Sequence, residues 1–156
     1  MEAPPSLSRE MFDVAIFIGT PRGSEDEVVI CEDQIIPVCA PSVIAQFQDT
    51  GFDDIPLLHD QTWADDWLSW SKTAGVDLSD PQDGPRFSLY SLAVEEAKAG
   101  AGALMGHTCL IEDLIASNIL ATMDHGPVST GKALILKMPA TSERRPETDQ
   151  IVSLLA

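Results

Sequence analysis

The stretch FSLYSLAVEEAKAGAGALMGH, residues 87–107, constrains the fold more than any other part of the chain. A short apolar run ends at Phe87, and Ser88 and Ser91 stand where a helix should begin, each with a hydroxyl suited to capping it. Apolar and polar residues alternate to Ala99, where Gly100, Ala101 and Gly102 stop the pattern, and an apolar strand over 103–106 follows at once. The stretch reads as strand, helix, strand with almost no loop. Gly100 and Gly102 sit at the helix C-terminus, which suits a left-handed cap and close packing and is the wrong end for a phosphate-binding loop.

The rest of the chain repeats this rhythm. Residues 12–18 read as a strand rich in β-branched and aromatic residues, closed by Gly19, with 20–23 as a loop. Residues 28–31 and 34–39 read as two strand segments around an acidic turn at Glu32 and Asp33. Pro41 and Ser42 open a helix over 42–48 that stops before Gly51. A short strand over 55–59 is followed by an amphipathic helix over 65–74, with Trp67, Leu68 and Trp70 on one side and Gly75 as its cap. Residues 81–85 form a turn into the strand 86–87. Apolar residues recur at helical spacing over 110–120, a strand over 132–138 ends at Pro139, and Pro146 starts a last helix. Residues 1–11 read as a leader. Strands alternating with helices predict an α/β fold with mostly parallel sheets.

Composition narrows the function. With 156 residues the chain suffices for one domain with a real core or for two small lobes. Nine basic against 25 acidic residues give a net charge of −16, so the chain by itself has no basic surface for nucleic acid and is disfavoured at anionic membranes. No run of 18 uncharged apolar residues occurs, and the N-terminus lacks the layout of a signal peptide, so a cytoplasmic location is the default expectation. Cys31, Cys39 and Cys109 are odd in number and lie in or beside apolar segments, which predicts buried free thiols.

In open α/β sheets, ligands gather beyond the carboxyl ends of strands, near helix N-termini. Residues 87–90 are such a place, where first-turn amides favour an anion or a polar carbonyl. His59 beside Asp60 invites a catalytic reading, but adjacent residues of an extended segment point opposite ways and no nucleophile motif accompanies them. The pair is read as structural, hydrogen-bonded around a buried Trp63, and the chain is not read as an enzyme. Trp67 and Trp70 are read as core. Asp65, Asp66, Glu112 and Asp113 have no partner spacing suited to a metal and are read as solvated carboxylates. No cofactor is expected.

Several segments resemble one family. FDVAIFIG (12–19), IIPVCAPSVI (35–44), LLHDQTWADDWLSW (57–70), AGVDLSDPQDGPRFS (74–88), AVEEAKAGAGALMGH (93–107), LIEDLIASNIL (110–120) and KALILKMP (132–139) are similar to the effector-binding domain of LysR-type transcriptional regulators, the subgroup of the glycine-cleavage-system activator above all. The resemblance implies a periplasmic-binding-protein-like fold of two lobes with a small-molecule effector, such as a carboxylate or an amino acid, in the cleft. It places Ser88, Leu89, Tyr90, Trp63 and His107 on one side of that cleft, and Gly19 and Thr20 on the other. His107 stands where the subgroup often has Arg, although an ordinary surface histidine is the simpler reading.

The implied division is a leader and strand of lobe one over 1–22, lobe two over 23–125, and a crossover with the returning strand and helix of lobe one over 126–156. No helix-turn-helix is seen, and the first lobe is expected to be incomplete, leaving edges that favour a homo-oligomer. The function implied is effector sensing without the DNA reader. The alternatives are a solute-binding relative of the same fold and an oligomerisation fragment with no regulatory ligand.

Overall fold

The computed structural model describes residues 14–123, 126–138 and Leu154. The expected leader and most of the last helix lie outside the described residues, as do Phe12 and Asp13 of the first expected strand. Two compact units arise: 34–128 form one, and the segments before Gln34 and after Val128 form the other.

In the second unit the apolar segments become strands β2 (Glu27–Cys39, whose later half lies here), β3 (Leu57–Asp60), β4 (Arg86–Phe87), β5 (Ala103–His107) and β6 (Ala121–Thr122). The helices are α1 (Ile44–Thr50, after a 3-10 turn at Pro41–Val43), α2 (Asp66–Ala74), α3 (Tyr90–Lys98) and α4 (Thr108–Ala116). β3 pairs in parallel with β4 and with β5, while β2 enters antiparallel to both β5 and β6. The α/β class is as expected. Among the described residues the parallel pairs are β3 with β4 and β3 with β5, and each step along this block, from β3 to β4 and from β4 to β5, crosses through a helix, as parallel neighbours require.

Alternate strand residues explain the packing. Ile35, Cys39, Leu57, Ala103 and Met105 bury one face against Val43, Trp67 and Trp70. Ile36, Val38, Leu58 and Leu104 bury the other against Ala93, Ala97 and Ile111. Strands covered on both faces read as continuous apolar runs, as these do. Ala93 and Ala97 stand four apart on α3 and are fully buried, so this helix lies close upon the sheet. The indole Nε1–H of Trp67 donates to the Leu58 carbonyl at 3.0 Å, and the Trp67 and Trp70 rings meet edge to face at 5.9 Å.

Gly75 is the left-handed C-cap expected for α2. At the end of α3, Gly100 has φ +87°, and the Ala101 amide reaches back to the Glu96 carbonyl at 3.0 Å, closing the helix in a Schellman pattern.

In the first unit β1 (Ala15–Gly19) pairs antiparallel with β7 (Val128–Lys137), which lies beside β2. The two segments expected at 28–31 and 34–39 form one strand of 13 residues. Asp33 forms no turn. It is fully buried, and Thr130 Oγ1 donates to its carboxylate at 2.8 Å. Cys39 is a buried free thiol, with burial pushing its pKa up to about 11. Neither Cys31 nor Cys109 is a free thiol, which corrects the expectation of three.

Candidate functional site

The parallel block ends at one edge. β3 finishes at Asp60, β4 at Phe87 and β5 at His107, so three carboxyl ends lie at the start of α3. The Gln61 amide donates to the Phe87 carbonyl at 2.9 Å and ties the two strand exits together.

Neither serine caps α3. The N-cap is Leu89, extended at φ −129° and ψ 142°, with no side-chain cap bond. Its carbonyl accepts the Leu92 and Ala93 amides at 3.2 and 3.3 Å. Ser88 precedes the cap position and Ser91 lies inside the helix, so neither hydroxyl stands where capping requires it. The first-turn N–H groups are therefore not answered by a side-chain cap, and the helix dipole adds partial positive charge there. Ser88 is exposed, and so is Leu89.

Below this turn, three of the expected residues meet. The Tyr90 hydroxyl donates to the Met105 carbonyl at 3.1 Å and accepts the His107 amide at 3.0 Å, so one phenol bridges the end of β5 to α3. The Trp63 ring is 4.1 Å from the His107 ring and 5.1 Å, edge-on, from that of Tyr90. Trp63 is half-buried rather than buried, and its amide donates to Asp60 Oδ2 at 3.2 Å.

His107 is no surface residue. It is 2% exposed, and its Nε2 lies 2.7 Å from Asp66 Oδ2. Asp66 is thus a partner rather than a solvated carboxylate. No local signal could have shown this, because the two residues are 41 positions apart. Asp60 is 4% exposed. Burial holds its carboxyl above the usual carboxylate range and the Asp66 charge adds to this, against the opposing pull of the Trp63 and Thr62 amides and of His107.

His59 is also buried, but its Nε2 meets the Asp83 carbonyl at 2.7 Å, away from the bonds Asp60 makes. That is the opposed geometry expected of neighbours in a strand. Gly19 ends β1 in the first unit and is buried, and Thr20 follows it and is exposed.

Two concavities of the second unit lie elsewhere. One of about 870 Å³ is lined by Phe47, Gln48, Thr122 and Met123, and another of about 380 Å³ by Asp53, Asp54, Asp80 and Asp83 among others. Neither includes a residue of the Trp63, Tyr90 and His107 cluster. Among the described residues no three His, Cys, Asp or Glu side chains are grouped to hold a metal, and no helix is long and apolar enough to cross a membrane.

No family model and no curated protein matches the chain. Solved structures do. The AmpR effector-binding domain of Citrobacter freundii superposes with a TM-score of 0.77 at 19% identity, over 97% of this chain and 76% of that one. The effector domain of the transcriptional regulator AmpR of Pseudomonas aeruginosa gives 0.74 at 21%, over 97% and 73%. A LysR family transcriptional regulator gives 0.59 at 18%, over 96% and 50%. The chain has the periplasmic-binding-protein-like fold of the effector-binding domains of LysR-type regulators.

Proposed function

We propose that this chain is the small-molecule effector-sensing part of a LysR-type transcriptional regulator. The observation that carries the reading is the convergence of three parallel strand ends on the uncapped start of α3, beside an aromatic wall of Trp63 and Tyr90, in a fold shared with effector-binding domains. Such a place offers amide donors and partial positive charge to a carboxylate, and ring faces to the rest of a small ligand. The segments 57–70 and 84–88 favour the subgroup of the glycine-cleavage-system activator. The net charge of −16 leaves this chain itself a poor partner for nucleic acid, and pairing of copies belongs to the same proposal.

The test is calorimetric titration of the chain with a panel of small carboxylates and amino acids, repeated on Ser88→Leu. Ser88 is exposed and caps nothing, so the variant keeps the fold and crowds the turn. A ligand bound by the wild type at least tenfold more tightly than by Ser88→Leu supports the site. Affinity unchanged by the substitution removes it, and a panel that never binds favours the oligomerisation reading.

A further inference from the structure

At the carboxyl ends of β3 and β5 the second unit packs titratable groups together. Asp60 Oδ2 accepts the Trp63 amide and the Thr62 amide also draws on the carboxylate, while Oδ1 is buried with no hydrogen-bond partner. A buried carboxylate oxygen without a donor disfavours the charged form of its group. Asp66, partly exposed, brings a like charge from α2. His107 faces Asp66 from the end of β5, and the Tyr90 hydroxyl closes the cluster from α3. His59, next to Asp60 in β3, is turned to the Asp83 carbonyl, and Arg86 on β4 is held by the Gln82 carbonyl at 2.8 Å.

Both ends of this cluster grip one residue. Asp60 holds the Trp63 backbone, and the His107 ring lies tilted by 38° against the Trp63 ring. Trp63 also stands in the chain between Asp60 and Asp66, on the turn that links β3 to α2.

We propose that Asp60, Asp66 and His107 form a proton-linked latch on Trp63: ionised Asp60 repels Asp66 across the turn that carries Trp63, and uptake of a proton by Asp60 releases that repulsion, which outweighs the weaker hold of a neutral carboxyl on the Trp63 amide, and fixes the ring. The aromatic face of Trp63 and Tyr90 is then set by pH, whether or not a ligand binds there. The raised pKa of Asp60 gives the sign. Stability contributed by an acid whose folded pKa is raised is complete below its unfolded value, near 3.9, and is lost as pH rises through the folded value. The latch is therefore closed on the acid side.

Thermal melts of the full chain and of Asp60→Asn between pH 4 and pH 8 test it. Asparagine keeps an acceptor for the Trp63 amide and cannot ionise. The variant's Tm relative to wild type should rise with pH, from near equality at the acid end to several degrees higher at the alkaline end. Trp63 emission, taken as wild type minus Trp63→Phe, should shift over the same interval and stay fixed in Asp60→Asn. A Tm difference that does not change with pH, or emission that is flat in the wild type or titrates alike in the variant, overturns the latch. Should Asp60→Asn fail to fold, the Asp60 carboxyl is titrated in the wild type by carbon-13 NMR. A midpoint above the ordinary range, with the Trp63 indole shifting alongside, supports the proposal; an ordinary or lower midpoint, or an indole that does not follow, overturns it.

Discussion

Replacing Gly102 with alanine should damage the second unit more than any surface change near the site. Gly102 lies between the end of α3 and the start of β5. A Cβ there would stand 2.3 Å from the Pro56 carbonyl oxygen and 3.1 Å from its carbon. That oxygen accepts the Ala103 amide at 2.9 Å, the bond that seats β5 beside the chain entering β3. Backbone cannot swing aside as a side-chain end can. Relieving the clash means moving β5 and weakening that bond. Overpacking of this kind costs about 1–3 kcal/mol, and a lost hydrogen bond adds about 0.5–1.5 kcal/mol. The stiffer unfolded chain offsets about 0.4–1 kcal/mol. The net centres on about 2.3 kcal/mol, or a Tm lower by about 5–9 °C at roughly 2–4 °C per kcal/mol for a chain of this size.

Gly100→Ala is the control. Its φ of +87° carries the left-handed penalty of about 1–2 kcal/mol, but a Cβ there meets nothing nearer than Ser42 Oγ at 3.6 Å. Circular-dichroism melts of both variants decide. If Gly102→Ala melts within 2 °C of wild type, or above Gly100→Ala, the argument from backbone approach is wrong.

Two further outcomes follow from the core. Trp67→Phe removes the donor to the buried Leu58 carbonyl and should cost about 2–3 kcal/mol, read from the urea midpoint; a loss under about 1 kcal/mol would mean the carbonyl finds another donor. Cys39, buried with a pKa of about 11, has about one thiol in a thousand ionised at pH 8, so peptide mapping should find it unmodified by a thiol reagent until the chain unfolds. Modification of the native protein at pH 8 would refute its burial.

The sequence revealed whatever depends on neighbours in the chain. Trp67 and Trp70 three apart on a helix, Gly75 after it, and the short loops around α3 are local signals, and each element formed where it was read. What failed had distant causes. The acidic pair Glu32 and Asp33 looked like a turn because an unpaired buried carboxylate is not tolerated; Thr130, 97 residues away, supplies the missing donor and lets β2 run through. His107 looked exposed because its partner Asp66 comes from α2, 41 residues earlier in the chain. The serines at 88 and 91 looked like caps because residue type favours that role, yet the chain enters α3 through an extended Leu89. At the candidate site, the start of the helix at 87–90 was legible from the strand-to-helix junction, Trp63 and His107 came from the resemblance, and the contacts that join Trp63 and Tyr90 to His107 had to be seen.

The alternation of the central strands also sets how substitutions combine. Leu57 and Leu58 are neighbours in the chain, yet one packs with the tryptophan-bearing helix and the other with the alanine-faced one. The sheet partitions the interior into two compartments, each with its own volume to fill. Changes within a compartment share a void and couple, whereas changes on opposite sides of the sheet act nearly independently, as for sites without shared partners. A sequence drifting over time can therefore repack one compartment without consulting the other, and the compartment holding α3 can be tuned while the tryptophan side keeps the unit folded.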